Sequence, residues 1–100
     1  MFLIVQLWVR DGCDAREFEK YEREAAQVMQ MHGGRIERAF RSSETRSENE
    51  PFEVHIVWFP DEGAFTAYRN DARLVALREG RDALIERTEV WCGSEANYGF

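Results

Sequence analysis

Two eight-residue segments of the sequence are apolar at nearly every position, FLIVQLWV from Phe2 to Val9 and FEVHIVWF from Phe52 to Phe59. A strand with helices on one face and water on the other alternates apolar and polar residues, because successive side chains point to opposite faces. Both faces of these two strands therefore require cover. A chain of 100 residues cannot supply two layers of helices, so the pattern predicts that a second copy covers the open face.

A helix is predicted directly after the first strand. The segment from Asp14 to Glu17 has the spacing of a capping box, and the residues that follow recur at helical intervals on one face. They are Phe18, Tyr21, Ala25, Val28, Met29 and His32. Gly33-Gly34 then ends the helix, because glycine readily adopts the left-handed backbone of a C-terminal cap.

The next predicted strand is the most polar one. Arg35 to Arg41 alternates so that Ile36 and Phe40 share one face, and its many charged residues are typical of a sheet edge. Ser42 to Glu50 is polar throughout and precedes a proline. It therefore reads as the loop that joins two hairpin-paired strands.

The second helical region is predicted to be broken. Asp61 caps its start, Asn70-Asp71 interrupts it, and a last strand follows from Arg87 to Cys92. The order β-α-β-β-α-β is the ferredoxin-like split arrangement. We therefore predict an α+β fold in a single domain over residues 1–100, with a four-stranded antiparallel sheet and helices on one of its faces.

Strand parity assigns side chains to the two faces of this sheet. Beneath the helices we expect the aliphatic set of the first strand and its counterpart in the third: Leu3, Val5, Leu7, Val9, Phe52, Val54, Ile56 and Trp58. On the open face we expect the opposite parity: Phe2, Ile4, Gln6, Trp8, Glu53, His55, Val57, Phe59, Arg87, Glu89 and Trp91. The apolar area of this face is larger than the apolar patches that monomers usually expose. It therefore favours a homodimer.

Composition narrows the partners and the location. The formal charge is -6, from 19 acidic and 13 basic residues, and such a chain is a poor partner for nucleic acid or an anionic membrane. The chain enters a strand without a basic leader and has no apolar run of about 18 residues, so we expect a cytoplasmic protein. Cys13 and Cys92 fall too far apart for a disulfide, and no cluster of metal ligands is present.

Four segments carry a family resemblance: Gly33-Gly34-Arg35, Val57-Trp58-Phe59-Pro60, AYRNDARLVALREGR from Ala67 to Arg81, and Arg87-Thr88-Glu89-Val90. Together they resemble the family called domain of unknown function 1330, which belongs to the dimeric α/β-barrel superfamily. The resemblance covers nearly the whole chain and implies a homodimer whose two sheets face each other. It implies no particular activity.

The same superfamily contains cofactor-free quinone-forming monooxygenases and haem-degrading monooxygenases. The haem-degrading members use an asparagine, a tryptophan and an iron-binding histidine at positions that correspond here to Gln6, Phe59 and Arg78. Arginine cannot serve as an axial haem ligand. We therefore expect no haem, and no other cofactor.

Six residues are candidates for a site. His55 is the candidate catalytic base, with a hydrogen-bonded interface histidine as the alternative. The candidate ligand-binding residues are Gln6, Trp8, Tyr68, Arg78 and Trp91. Four of these five have a structural alternative: a hydrogen bond across the dimer for the glutamine, packing for the two tryptophans, and salt bridges for the arginine.

The resulting functional hypothesis is a small aromatic or anionic ligand bound at the sheet face between subunits, with Gln6, Trp8 and His55 sharing that face. A pocket between the sheet and the broken second helix is a further possibility. The alternative function is a cofactor-free monooxygenase or isomerase of the antibiotic-biosynthesis monooxygenase type. A pure interaction protein would instead fill the space between the sheets with side chains and leave no cavity.

Overall fold

The computed structural model describes residues 1–44 and 46–100. Within them the elements follow in the order β1 (Phe2–Val9), α1 (Ala15–Met31), β2 (Arg35–Arg41), β3 (Glu53–Trp58), α2 (Glu62–Arg69), α3 (Ala72–Ala76), α4 (Arg78–Leu84) and β4 (Ile85–Gly93). The strands form one sheet in the order β2-β3-β1-β4, with every neighbouring pair antiparallel. The predicted α+β ferredoxin-like arrangement is confirmed.

Helix α1 begins and ends where its caps predict. The Asp14 carboxylate accepts a hydrogen bond of 2.8 Å from the backbone N–H of Arg16. At the other end Gly33 has a φ of 76°, and the N–H groups of Gly33 and Gly34 donate to the carbonyls of Gln30 and Met29. These two bonds form a Schellman motif, which requires the left-handed glycine.

The second helical region is broken as predicted, into α2, α3 and α4. Asp61 caps α2 by accepting a hydrogen bond from Ala64 N–H, and Asp71 caps α3. His32 Nε2 lies 2.7 Å from Asp71 Oδ2, so the end of α1 is tied to the break between α2 and α3. Strand β4 begins two residues earlier than predicted, because Ile85 already pairs with β1.

The predicted faces are right for β1 and β4 and wrong for β3, although Phe52, just before β3, packs beneath the helices against Phe18 as predicted. His55 lies opposite Val5, and Val57 lies opposite Leu3. Paired residues share a face, so Glu53, His55, Val57 and Phe59 lie beneath the helices, while Val54, Ile56 and Trp58 lie on the open face. The prediction failed because both parities of this strand are apolar, so hydrophobicity alone did not specify the register.

Strand β2 contains a bulge, and its side chains therefore lie on faces other than those predicted. Ile36 pairs with Val57 and Arg38 pairs with Ile56, which leaves Glu37 as an extra residue. Ile36 therefore faces the helices, whereas Phe40 lies on the open face and is 55% exposed. The prediction that these two side chains share a face is wrong because a bulge reverses the alternation.

The core lies between the sheet and the helices in two clusters. One contains Leu3, Met29, Val57 and Phe59, and the other contains Leu7, Phe18 and Ile85. Val5 packs against both. The molecule is 17 Å across its shortest dimension, which corresponds to one sheet and one helical layer. Consequently none of the helices formed by the described residues covers the second face of the sheet.

The structure also bears on the two cysteines and on membrane-spanning helices. The Cys13 and Cys92 thiols are free, as their predicted separation requires. Among the helices of the described residues, none has the length and apolar character needed to span a bilayer.

Candidate functional site

A cavity of about 320 Å³ lies between the sheet and the helical layer. Its apolar wall comes from both layers and comprises Val5, Leu7, Ala25, Met29, Val57, Leu74 and Ile85. Its polar wall comprises Tyr21, Glu22, His55, Tyr68, Arg69, Arg78, Arg81, Asp82 and Thr88. The volume is at the small end of ligand sites, and the wall combines apolar side chains with a larger number of polar and ionisable ones.

His55 is the most enclosed polar residue of this wall, with 4% of its surface exposed. Two carboxylates flank the imidazole: Glu22 Oε2 lies 3.6 Å from Nδ1, and Glu53 Oε1 lies 3.3 Å from Nε2. The second oxygen of Glu53 lies 3.1 Å from Arg41 Nη2. The arginine therefore holds Glu53 in place, whereas Glu22 remains turned to the cavity.

The Glu22 side chain is 19% exposed, and its carboxyl group makes no hydrogen bond to any other described residue. Burial raises its pKa to about 7, and repulsion from Glu53 adds to the increase, while Arg81 opposes it. A carboxyl group with such a pKa exchanges protons near neutral pH, which is what general acid–base chemistry requires.

Tyr21 and Tyr68 also line the cavity, and each interacts electrostatically with Glu22. Burial raises the pKa of Tyr21 to about 12, and the charge of Glu22 contributes, although Arg81 opposes the effect. Burial also raises the pKa of Tyr68 well above its usual range. Both phenols therefore stay protonated at physiological pH and can donate hydrogen bonds into the cavity.

Three arginines line the cavity, and they differ in the contacts that their guanidinium groups make. Arg81 donates to Thr88 Oγ1 and lies 3.3 Å from an Asp82 oxygen, while the guanidinium group of Arg69 lies over the Phe65 ring. Within residues 1–44 and 46–100, Arg78 has no ion pair or hydrogen bond. Arg69 likewise has no ion pair or hydrogen bond there, only its ring contact, so two of the three cations in this wall lack an anionic partner among the described residues, and Arg78 lacks a ring contact as well.

The structure separates the six predicted site residues into two groups. His55, Tyr68 and Arg78 line the cavity. Gln6, Trp8 and Trp91 lie on the opposite face of the sheet, as their pairing shows. The expectation that Gln6, Trp8 and His55 share one face is wrong, because the β3 register turns His55 towards the helices.

The three residues on the open face have different surroundings. Trp8 is 9% exposed, and the Arg87 guanidinium carbon lies 3.9 Å from its ring centroid. Its indole N–H has no acceptor among the described residues. Trp91 is 64% exposed, and Gln6 pairs with Val54 and Glu89 on its two sides.

Sequence reasoning missed Glu22, although the sequence contains a signal for it. Glu22 follows Phe18 by four residues and precedes Ala25 by three, so it lies within the apolar stripe of α1 rather than on its solvated face. A charged residue in such a stripe must find a partner or shift its pKa. No group of three or more acidic, histidine or cysteine side chains in the described part of the chain is arranged to hold a metal ion.

Comparisons with known proteins agree with this fold. The family model "Domain of unknown function (DUF1330)" matches residues 1–92. A methylated protein from Rhodopseudomonas palustris superposes with a TM-score of 0.78 at 17% identity, over 99% of this chain and 82% of that one. A comparison with curated proteins found no match.

Two further solved structures share the fold. An uncharacterized NIPSNAP domain protein from Burkholderia xenovorans has a TM-score of 0.69 at 14% identity, over 98% of this chain and 97% of its own. SnoaB from Streptomyces nogalater, a cofactor-independent oxygenase, has a TM-score of 0.65 at 16% identity, over 95% of this chain and 93% of its own. At such identities the likeness establishes the fold alone.

Proposed function

Because the chain belongs to the DUF1330 family, whose description assigns no activity, we propose a function from the cavity itself: the protein binds a small anionic organic molecule, preferably an aromatic one, between its sheet and its helices. The sequence offered two locations for a ligand, the sheet face between subunits and a pocket between the sheet and the broken second helix, and we propose the second. The observation that carries the proposal is Arg78, a solvent-exposed arginine at the cavity wall that has no ion pair or hydrogen bond to another described residue.

Charge and shape favour a carboxylate-bearing ligand. A guanidinium group grips a carboxylate through two parallel hydrogen bonds, and the neighbouring Tyr21 and Tyr68 phenols supply further donors. The apolar wall suits an aromatic or aliphatic body. Glu22 opposes an anion less than an ordinary glutamate would, since a pKa of about 7 keeps roughly half of it neutral at pH 7.

Binding of phenylpyruvate, an aromatic 2-oxo acid, tests this proposal. Removing a charged hydrogen-bond partner costs about 1.5–3 kcal/mol, which corresponds to a Kd raised roughly 10- to 100-fold. We expect Arg78→Ala to produce this loss in isothermal titration calorimetry. The matched control is Arg16→Ala, which removes the same charge from an exposed position in the first turn of α1.

Phenylpyruvamide, the neutral amide of the same compound, is the control ligand and should bind weakly to both variants and to the wild-type protein. Equal affinity of the acid and the amide would contradict the anionic class. So would an Arg78→Ala variant that binds phenylpyruvate as tightly as Arg16→Ala does.

A homodimer through the open face is the second part of the proposal. A compact monomer of 11.8 kDa exposes about 5,900 Å², whereas this chain exposes 7088 Å². The excess is comparable to the roughly 800 Å² that each partner buries in a standard interface. Phe40 and Trp91 are the large exposed apolar residues of this face.

The two free thiols fit a reducing compartment. We therefore propose that the protein is located in the cytoplasm.

The second candidate function is catalysis without a cofactor, as a monooxygenase or an isomerase. It is favoured by the buried His55 and the partly buried Glu22 at the cavity wall, and SnoaB offers a precedent for cofactor-independent oxygenation on this fold. An oxygen electrode distinguishes the two activities, because a monooxygenase consumes one O₂ per turnover and an isomerase consumes none.

A further inference from the structure

His55 and Glu22 border two spaces at once. One is the cavity between the sheet and the helices. The other is an outer groove of about 260 Å³ between α1 and the β2–β3 edge, whose lining also includes Glu19, Arg41 and Glu53. These two side chains therefore form the partition between the ligand cavity and a groove open to solvent.

A series of neighbouring ionisable side chains connects this partition with the protein surface. The imidazole lies 3.6 Å from Glu22 and 3.3 Å from Glu53. Arg41 then lies 3.1 Å from Glu53 and 3.5 Å from Glu19. The two contacts of the imidazole are slightly longer than hydrogen bonds, so a small side-chain shift completes each of them.

We propose that Glu22 and His55 form a proton relay between the bound ligand and solvent, and that the protein catalyses the enolisation of carboxylate-bearing carbonyl compounds. The inference rests on the anionic-ligand function proposed above and adds a reaction to it. A purely structural role would pair the Glu22 carboxyl group fully, yet it makes no hydrogen bond to another described residue and faces the cavity.

The chemistry needs no oxidant or cofactor. The Glu22 carboxylate takes a proton from the carbon next to the ligand carbonyl, the C–H electron pair becomes a C=C bond, and the carbonyl π pair moves to oxygen. The Tyr68 phenol or Arg81 stabilises the enolate oxygen. His55 takes the proton from Glu22, passes it through Glu53 to solvent, and returns a solvent proton to Glu22. Glu22 then delivers that proton to the same carbon: the C=C electron pair forms the new C–H bond and the oxygen pair restores the carbonyl, so each cycle exchanges one proton with no net change of charge.

Hydrogen–deuterium exchange measures this reaction directly. Phenylpyruvate in D₂O is the probe, proton NMR of its C3 hydrogens reports exchange, and saturation-transfer NMR in the same sample reports binding. We expect the wild-type protein to accelerate exchange at least tenfold over buffer. A positioned general base contributes about 10²- to 10⁴-fold, so Glu22→Gln should lose at least 100-fold of the protein-dependent rate while it still binds the probe.

Glu24→Gln is the matched control, because it changes the same residue type on the same helix two positions away, on a different face. It should exchange like the wild-type protein. Binding without exchange, or an undiminished rate in Glu22→Gln, overturns the relay and leaves the binding function intact. Absence of saturation transfer in the wild-type protein overturns the binding function, and the relay with it.

The pH profile of the wild-type protein provides a test that needs no variant. The groups that face Glu22 are Glu53 and His55 from β3, Arg81 from α4 and Tyr68 from α2. Burial raises the pKa of Glu22 to about 7, the charge of Glu53 adds to the increase, and the charge of Arg81 opposes it. The protein-dependent exchange rate should therefore rise as pH increases through about 7, after the buffer rate is subtracted. A rate that is flat or falls across this range contradicts Glu22 as the base.

Discussion

The stability of the protein should fall as pH rises, and Glu22 should be the cause. The pKa of Glu22 is 4.5 in the unfolded chain and about 7 in the folded protein. Between these values the folded state binds more protons than the unfolded state, so the free energy of unfolding decreases with increasing pH. Integrated from pH 5 to pH 8, this linkage amounts to a loss of about 2.5 kcal/mol.

Substitution of Glu22 by glutamine isolates this effect, because the amide keeps the shape of the carboxylic acid and does not titrate. Relative to the wild-type protein, Glu22→Gln should gain about 2.5 kcal/mol between pH 5 and pH 8. Urea unfolding at fixed protein concentration, followed by circular dichroism, measures this difference at each pH. Glu24→Gln serves as the control for removal of one carboxylate from α1.

A difference between the wild-type protein and Glu22→Gln that stays constant from pH 5 to pH 8 would refute the reasoning. It would mean that the Glu22 carboxyl group is solvated like that of an unfolded chain, and the cavity would then lack its neutral-pH acid.

Two further predictions concern packing and assembly. A Cβ atom on Gly34 would lie 2.7 Å from Phe59 Cδ1. Gly34→Ala should therefore destabilise the fold by about 1–3 kcal/mol in urea unfolding. The control is Gly80→Ala, whose new Cβ atom meets nothing within 4 Å and which should be neutral or stabilising by up to about 1 kcal/mol. In light scattering Trp91→Glu should shift the proposed dimer towards monomer or aggregate, whereas Val75→Glu, an exposed apolar position on α3, should leave it dimeric. A wild-type monomer at micromolar concentration would contradict the dimer.

Local signals allowed most of the fold to be predicted from the sequence. Asp14, Gly33 and Asp61 mark helix ends through hydrogen bonds within a few residues of themselves. The break at Asn70-Asp71 is equally local. These features depend on side chains close in sequence, so a single chain reveals them.

The site depends on long-range pairing, and there the sequence was ambiguous. Both parities of β3 are apolar, and the pairing of His55 with Val5 joins residues 50 positions apart. The bulge beside Ile36 cannot be recognised from alternation, because one added residue reverses it. The cavity arises from how α1 and the broken second helix lie over the sheet, so Glu22 and His55 meet only in the folded chain.

The most direct test of the central claim is an NMR titration of ¹⁵N-labelled protein with phenylpyruvate. The three indole N–H signals come from Trp8, Trp58 and Trp91, which all lie on the open face of the sheet, whereas the amides of His55 and Thr88 report the cavity. A ligand between the sheet and the helices should shift the two amides and leave the indoles unchanged. Shifts of the indoles with unmoved amides would place the ligand on the open face and contradict the account.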